Sequence, residues 1–262
     1  MKINVFDHKV LKYTLLNVIM NFENLGELKG ALERISGRGF IKSHRLNNTG
    51  IGKTLEDEMD ITENNYAGCD FKLGEKMVEL KAQRKHASSR VTLTTKEPLW
   101  SVDKLKTIKE LGYPDIQGRI GLKITISMTR PSPQGFSMRL SDGEIQIISR
   151  KKGKICFYKI KDLMEILKHK LGENLLFVLA ETKYGKEKTE EHFHYQDAVL
   201  FSGLNEKKFR ELLSSGKIIW EFRLHIKPSG AIRDHGSGFR MNRKHLGELF
   251  NKQEIIISLK QK

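Results

Sequence analysis

The spacing of apolar residues along the chain predicts a series of amphipathic helices. The clearest is the segment 25–36, in which Leu28, Leu32 and Ile35 would share one helical face. Gly37 follows directly, and glycine commonly stands just beyond the end of a helix. Other helices are expected at residues 8–22, 100–111, 161–171, 205–215 and 242–250.

Other segments alternate apolar and polar residues, or are continuously apolar, and these predict strands. The segment 136–160 has turn signals at Asp142-Gly143 and Lys152-Gly153, so we interpret it as a meander. Together with the helices, the strands indicate a mixed α/β fold in which helices flank a sizeable sheet. The predicted strands are residues 76–83, 90–95, 119–129, 174–182, 193–201, 218–226 and 254–259.

The charge of the chain narrows the class of partner. Its 262 residues include 47 Lys and Arg against 32 Asp and Glu, which gives a net charge of +15. Such an excess points to a polyanion, most simply nucleic acid, although a basic surface without a partner is the alternative. Membrane surfaces are also anionic, but no apolar run approaches the roughly 20 residues that span a bilayer.

Residues 1–22 interleave polar with apolar residues, unlike a signal peptide. The chain has two cysteines, Cys69 and Cys156, and no Cys-x-x-Cys pair. This pattern argues against a zinc site or a disulfide framework, so we expect a cytoplasmic protein with no membrane association.

The stretch NTGIGKTLE contains Gly-Lys-Thr, which is the end of a phosphate-binding loop. That loop requires a glycine where Asn47 stands and an apolar strand before it, whereas residues 42–45 are polar and basic. We therefore expect no nucleotide cofactor.

The glycines of this stretch are instead expected to serve the backbone. Gly50 and Gly52 would form a tight turn, and Thr54 would cap a short helix. Glu56 would then lie in the first turn of that helix, where a carboxylate suits the helix dipole.

The strongest candidate chemistry is a cluster of two carboxylates and a lysine. Glu79 and Lys81 lie two residues apart on a predicted strand, so both side chains point to one face. A hairpin at Leu73-Gly74 would bring Asp70 beside them. Carboxylate oxygens suit Mg²⁺, and a lysine can orient an attacking water or contact a phosphate. The set therefore predicts hydrolysis of phosphodiesters.

The Glu-x-Lys pattern occurs elsewhere in this charged chain. Glu181-Thr182-Lys183 follows an apolar strand and is a rival site, although the nearest upstream aspartate, Asp162, lies in a predicted helix. From these residues alone, a solvated charged strand is the alternative for either site.

Several blocks of the sequence together resemble the MvaI/BcnI family of type II restriction endonucleases, in the MutH-like branch of the PD-(D/E)xK nucleases. The first group of blocks lies within residues 45–98, and the second lies within 180–250. The blocks are NNTGIGKTLEDEMD, CDF, VELK, VTLTTKEP and RDHGSGFRMN.

The resemblance implies roles for individual residues. The catalytic residues would be Asp70, Glu79, Lys81 and Glu56, and the carboxylates of Asp70, Glu79 and Glu56 would bind Mg²⁺. Residues that would contact DNA are Arg84, His86, Arg90, Arg233, His235 and Arg240. Arginine suits guanine edges, and the glycines beside His235 would let the backbone approach a groove. For the arginines and histidines the alternative is an ordinary basic surface.

The resemblance also implies an overall mode of action. Residues 1–262 would form one endonuclease unit with two lobes around a DNA cleft, with catalytic motifs within 45–98 and recognition within 225–245. The enzyme would act as a monomer on double-stranded DNA at pseudopalindromic CCNGG-type sites, one strand at a time. A cognate DNA methyltransferase would act on the same site. The alternatives are a MutH-like strand-nicking repair endonuclease and a DNA-binding protein without catalysis.

Overall fold

The computed structural model describes residues 19–62, 69–186 and 190–258. The chain forms two compact units that are each built from separate stretches of sequence. Unit 1 comprises Met1–His86, Leu175–Leu200 and Ile255–Lys262, and unit 2 comprises Ala87–Asn174 and Phe201–Glu254. The elements are mixed α/β, as the sequence predicts.

Unit 1 is organised around a sheet in which strand order differs from chain order. In the described part of the chain this sheet has seven strands in the order β1-β3-β4-β12-β13-β17, with β2 paired to β13. Its elements are β1 Asn21–Phe22, α1 Leu25–Gly37, β2 Ile41–Lys42, α2 Gly50–Glu58, β3 Phe71–Leu73, β4 Lys76–Arg84, β12 Asn174–Tyr184, β13 Glu191–Leu204 and β17 Phe250–Ser258. Strands β12, β13 and β17 each begin with residues assigned to one unit and end with residues assigned to the other.

The core of unit 1 forms where α1 and α2 bury their apolar faces with the sheet. Leu28 and Leu32 of α1, Leu55 of α2, and Phe71 and Val78 of the β3–β4 hairpin are all completely buried in one cluster. Fully burying a side chain of this kind contributes about 1.5–3 kcal/mol relative to leaving it exposed. This packing fixes one face of β4 and leaves its other face for polar residues.

Unit 2 contains the other two sheets, of six and four strands in the described residues. Their orders are β5-β16-β14-β8-β7, with β15 paired to β14, and β6-β11-β10-β9. The elements are β5 Val91–Thr94, β6 Leu99–Trp100, α3 Lys104–Leu111, β7 Tyr113–Pro114, β8 Ile120–Ile126, β9 Phe136–Ser141, β10 Glu144–Ser149, β11 Gly153–Lys159, α4 Ile160–Leu171, α5 Glu206–Ser214, β14 Ile218–Ile226, β15 Ile232–Asp234, β16 Gly238–Met241 and the 3-10 helix Arg243–Leu249.

Aromatic rings form the centre of unit 2. Trp220 of β14 is fully buried, and its ring centroid lies 5.0 Å from Phe239, 5.8 Å from Phe222 and 5.2 Å from Tyr158. Edge-on and tilted ring pairs at these distances contribute beyond their buried area. This cluster anchors β14, the strand from which several polar groups described below project.

Most predicted elements are present, and the differences have local causes. The prediction of a helix over residues 100–111 is wrong in its first part, because Leu99–Trp100 forms a strand that pairs with β11. The helix begins at Lys104 instead, where the Asp103 side chain caps it by accepting a hydrogen bond of 2.6 Å from the Lys106 N–H.

Both ends of the chain also differ from the prediction. Asn21–Phe22 is a strand parallel to β3 and not the end of a helix, and the remainder of the predicted helix 8–22 lies outside the described residues apart from positions 19 and 20. The segment 242–250 forms a 3-10 helix, and β17 begins four residues before the predicted strand 254–259. In the described part of the chain, no helix is long and apolar enough to cross a membrane.

Candidate functional site

The glycine-rich stretch 48–56 is helical from Gly50 onward, so both of its glycines lie in the helix. Helix α2 begins at Gly50, with Thr49 at its N-cap position. A Cβ at Gly50 would lie 2.3 Å from the carbonyl oxygen of Arg45, so glycine is required for close approach of the preceding loop. The prediction that Gly50 and Gly52 form a tight turn is therefore wrong.

The predicted roles of Thr54 and Glu56 in this helix also change. Thr54 is buried inside α2, where its hydroxyl oxygen accepts a hydrogen bond of 2.9 Å from the His44 N–H, so it is not the cap. Glu56 lies near the C-terminal end of α2 and not in its first turn, which removes the helix-dipole argument. Helix α2 does pack against β4, the strand of the predicted catalytic residues.

Strand β4 presents Glu79 and Lys81 on one face, as the alternation of the sequence predicts. Val78 and Leu80 are buried on the other face. The Lys81 ammonium donates a hydrogen bond of 2.7 Å to Oε1 of Glu79, and the two side chains are 26% and 17% exposed. The pair is therefore accessible to a substrate but restrained by the strand.

Asp70 lies at the end of the neighbouring strand. The β3–β4 hairpin pairs Phe71 with Val78. The Asp70 N–H donates to the Val78 carbonyl at 3.0 Å, one position out of this register, so the regular pairing ends at Phe71. The backbone nevertheless brings Asp70 against β4, the strand that carries Glu79 and Lys81.

The carboxylate of Asp70 is held in place and partly desolvated. Its Oδ2 accepts a hydrogen bond of 2.6 Å from the Leu80 N–H. Burial raises the pKa of Asp70, and the Leu80 hydrogen bond and the nearby Lys81 charge only partly oppose this shift. The site therefore contains a carboxylate that a cation would stabilise.

Asp70 and Glu79 are the two acidic residues that the β3–β4 hairpin carries beside Lys81. Among the described residues, no three His, Cys, Asp or Glu side chains form a group that could hold a metal ion. The metal-binding and catalytic roles of Glu56 stay predictions.

The rival Glu-x-Lys sequence on β12 has different surroundings. Glu181 forms an ion pair with Lys85 at 3.6 Å and lies 3.2 Å from Nε2 of His86, and both partners directly follow β4. Lys183 instead lies over the ring of Phe40 at 5.8 Å. Glu181 therefore belongs to a cluster of ion pairs, in contrast to the carboxylate–lysine pair of β4.

Two residues of unit 1 with predicted DNA contacts differ in the accessibility of their side chains. Arg84 makes two hydrogen bonds of 2.6 Å to the carboxylate of Glu191, and its guanidinium lies 5.4 Å from the centre of the Phe193 ring. The Glu191 hydrogen bond is the main cause that raises the pKa of Arg84. The His86 side chain, in contrast, is 80% exposed and is the more accessible of the two.

In unit 2 the predicted recognition motif forms a turn between β15 and β16. Oδ1 of Asp234 accepts hydrogen bonds from the N–H groups of Gly236 at 2.8 Å and Ser237 at 2.6 Å. Gly236 has a φ of 87°, and a Cβ at Gly238 would lie 2.1 Å from the carbonyl oxygen of Thr94. The glycines are therefore required by the backbone itself.

Arg240 is buried behind this turn. It is 4% exposed, and Nη2 donates a hydrogen bond of 2.5 Å to the Gly236 carbonyl. Burial is the main cause that lowers the pKa of Arg240. The side chain thus holds the turn in place, and direct base contact by Arg240 stays a prediction.

Glu221 of β14 is a residue of this region that the sequence reasoning missed. Its carboxylate accepts hydrogen bonds from Arg90 at 3.2 Å and from Arg223 at 2.8 Å, and it lies 3.5 Å from Arg240. The signal in the sequence was a single carboxylate among the apolar residues at the start of β14. Glu221 organises three arginines of unit 2.

Arg233 and His235 line a cavity of about 490 Å³ in unit 2. Both residues are exposed. Five other residues complete the wall, and they include two cations and a second histidine. The five are Arg119, His225, Lys227, Pro228 and Ser229.

Comparison with known proteins identifies the family of the chain. A model of the MvaI/BcnI restriction endonuclease family matches residues 29–250. The chain belongs to the MvaI/BcnI restriction endonuclease family. It is accordingly a site-specific deoxyribonuclease, a type II restriction enzyme, which confirms the enzyme class predicted from the sequence.

Solved structures of a restriction endonuclease resemble this family member in fold. The chain matches the "Restriction endonuclease MvaI-cognate DNA substrate complex" with a TM-score of 0.71 and 25% identity, over 90% of this chain and 99% of that one. It matches "Restriction endonuclease MvaI in the absence of DNA" with a TM-score of 0.55 and 23% identity, over 90% and 98%. The predicted restriction-endonuclease-like fold is confirmed. No curated protein in the comparison matches the chain.

Proposed function

We propose that this restriction endonuclease hydrolyses DNA phosphodiesters at Asp70, Glu79 and Lys81 of unit 1, with Mg²⁺ as cofactor. The observation that carries the proposal is the β3–β4 hairpin, in which the Asp70 carboxylate accepts a hydrogen bond of 2.6 Å from the N–H of Leu80, the residue between Glu79 and Lys81. The 2.7 Å contact between Lys81 and Glu79 completes the set. Two carboxylates and an ammonium are the groups that this reaction requires.

The donor set fits Mg²⁺ without a third protein carboxylate. This ion is usually held by one or two carboxylates together with waters and substrate phosphates. The raised pKa of Asp70 supports the fit, because a partly desolvated carboxylate gains from a bound cation. When bound, Mg²⁺ would lower the pKa of a coordinated water and neutralise charge developing on the phosphate.

The residues of this chain would divide the remaining work. Asp70 and Glu79 would hold the cation, with the Leu80 N–H fixing the direction of the Asp70 carboxylate. Lys81 would orient the attacking water or contact the scissile phosphate, as a preorganised positive charge. In-line attack by water would leave 5′-phosphate and 3′-hydroxyl ends.

Double-stranded DNA is the proposed substrate. The similar MvaI structure is a complex with a cognate DNA substrate, and the net charge of +15 on this chain suits a polyanion. We propose that Arg233 and His235 contact base edges, and that Glu221 orients its arginine partners for the same purpose.

The finer features of the activity extend this proposal. The site would be a short pseudopalindrome of the CCNGG type, cut one strand at a time by a monomer. A cognate DNA methyltransferase would act on the same site. The roles assigned to Arg84, His86, Arg90 and Arg240 in DNA binding belong to the same proposal.

Cleavage of a supercoiled plasmid tests the proposal and its alternatives together. Mg²⁺ should produce nicked and then linear DNA at fixed positions, and EDTA should abolish both products. Accumulation of nicked circles alone would favour a strand-nicking repair enzyme, and binding without any cleavage would favour a non-catalytic protein. Sequencing the ends of the linear product gives the recognition site and the cut position.

A further inference from the structure

Two histidines of unit 2 contact each other at the wall of the cavity described above. His225 is the penultimate residue of β14 and is 3% exposed, whereas His235 follows β15 and is exposed. Nε2 of His235 lies 3.0 Å from Nδ1 of His225. The ring centroids are 4.9 Å apart and the planes are 22° from parallel. The rings are thus close to parallel and are joined edge to edge by a hydrogen bond.

The backbone fixes both partners of this pair. His225 pairs with Arg233 across the β14–β15 ladder, and the His235 N–H donates to the Arg223 carbonyl at 2.9 Å. On the other side of β14, His225 pairs with Gly121 of β8. A Cβ at Gly121 would lie 2.5 Å from the Leu224 carbonyl oxygen and 3.1 Å from Cβ of His225. A larger residue at position 121 would push β8 away from His225.

We propose that His225 is a positioning residue for DNA recognition, which holds the His235 ring in one orientation and fixes which of its nitrogens carries the proton. In a hydrogen bond between two neutral imidazoles, one nitrogen donates and the other accepts. If Nδ1 of His225 accepts, Nε2 of His235 is protonated and its Nδ1 is an acceptor. If Nδ1 of His225 donates, Nδ1 of His235 is a donor. This inference rests on the proposed role of unit 2 in reading DNA.

The surroundings of the pair favour a neutral His225. Burial, followed by the charge of Arg119, lowers the pKa of His225, and His235 and Lys123 act in the same direction against Asp115. Arg233 and Lys227 line the same cavity. A neutral His225 offers one donor and one acceptor nitrogen, which is what the hydrogen bond to His235 requires.

Three substitutions separate the hydrogen bond from the packing. His225→Phe keeps an aromatic ring for packing and removes the bond, whereas His225→Asn places an amide group near the position of Nδ1. His245→Phe is a matched control, because His245 is another unit 2 histidine that bonds instead to Glu248 at 2.6 Å. Circular dichroism and thermal unfolding establish that each variant folds.

The first measurement is the ratio of affinities for the cleaved site and for a scrambled duplex, in Ca²⁺ to prevent cleavage. We expect His225→Phe to lower this ratio by roughly 5- to 100-fold, the range of one good base contact. His225→Asn should stay within about threefold of the parent, and His245→Phe should not change the ratio. An unchanged ratio in a folded His225→Phe variant overturns the proposal.

The second measurement needs no DNA and therefore stands apart from the proposed function. Nitrogen-15 NMR of the imidazole rings reports which nitrogen of His235 is protonated and how it titrates. We expect a single His235 tautomer in the parent and an average of two in His225→Phe. If the His235 tautomer and titration are the same in both, His225 does not position it, even if the enzyme cleaves DNA. If instead the parent has no specific site, the proposed function fails while this NMR result still decides the pairing.

Discussion

The two units of the chain differ in net charge, and the difference suits the chemistry proposed for each. Unit 1 contains 19 Lys and Arg against 17 Asp and Glu, a net charge of +2. Unit 2 contains 28 against 15, a net charge of +13. Carboxylates that hold a divalent cation need a local surplus of negative charge, whereas a surface that binds phosphates needs the reverse. Nearly all of the basic excess that the whole sequence shows is therefore a property of unit 2.

The units also differ in how they fix their functional side chains. In unit 1, Glu79 and Lys81 are placed by the alternation of one strand, and Asp70 by its hydrogen bonds to the backbone of Val78 and Leu80 on that strand. In unit 2, Arg240 and Glu221 are placed by hydrogen bonds among side chains and a turn with close backbone approach. Removing a catalytic group from unit 1 should thus spare the fold, whereas removing a buried group from unit 2 should not.

The largest expected effect is on catalysis in unit 1. Lys81→Ala and Glu79→Ala should each lower the cleavage rate by at least about 100-fold, because each removes a group acting on water, metal or phosphate. Both should keep specific DNA binding, measured by gel shift in Ca²⁺. Glu181→Ala is the matched control, since Glu181 belongs to the ion-pair cluster with Lys85 and His86. Near-normal cleavage by Lys81→Ala would contradict the assignment, and complete loss in a folded Glu181→Ala variant would favour the rival site.

The next effect separates recognition from stability within unit 2. His235→Ala should cost roughly 1–3 kcal/mol of discrimination between specific and scrambled duplexes, with little change in thermal unfolding. Arg240→Ala should lower specificity and also destabilise the protein by about 2–3 kcal/mol, because Glu221 would lose a buried charged neighbour and the turn would lose a hydrogen bond.

Affinity ratios and unfolding midpoints of the two variants decide this point. An unchanged affinity ratio in both would mean that recognition lies outside the turn between β15 and β16, for example in residues 84–90 or the meander 136–160. An Arg240→Ala variant as stable as the parent would remove the structural role assigned to that guanidinium.

The positions of Glu79 and Lys81 on one face of β4 could be predicted from sequence because their determinants are local. Alternation over a few residues places Glu79 and Lys81, and a glycine-containing turn returns the chain to Asp70. The start of the helix at residues 50–58 could not be predicted, because the contact that requires glycine at position 50 is with the Arg45 carbonyl. Such a contact leaves no periodic pattern of apolar residues in the sequence. Long-range ion pairs could not be predicted either. Arg84 pairs with Glu191, which is 107 positions away in the sequence, and Arg90 pairs with Glu221, which is 131 positions away. No local pattern encodes such partners.

A smaller effect tests the charge difference between the units directly. Specific binding should weaken with salt, by a slope of about 0.9 in log affinity against log salt for each phosphate contacted. Lys227→Ala, at the unit 2 cavity, should reduce that slope by about 1 and weaken all sequences alike. Lys29→Ala, an exposed unit 1 lysine that pairs with Glu33, should leave the slope unchanged. Equal slopes in the two variants would show that the basic excess of unit 2 does not face DNA at this cavity.

The smallest expected effect concerns the stability of unit 1 without metal. Burial raises the pKa of Asp70 in the folded protein, so the folded state retains its proton to higher pH than the unfolded chain. Stability must then fall as the pH rises through the interval between the two pKa values, and stay lower above it. Asp70→Asn keeps an oxygen acceptor for the Leu80 N–H and removes the charge. We expect the variant to be inactive, yet more stable than the parent by up to about 1 kcal/mol at neutral pH and equal to it near pH 3.

Thermal unfolding of the parent and Asp70→Asn in EDTA, across this range of pH, measures the difference in stability. Mg²⁺ should raise the unfolding midpoint of the parent more than that of the variant, because the carboxylate is what the cation stabilises. A variant less stable than the parent at neutral pH would show that Asp70 is held mainly by its partners, the Leu80 N–H and the Lys81 charge. In that case the ionised Asp70 would not destabilise the folded protein. The contrast between the units would then rest only on their net charges.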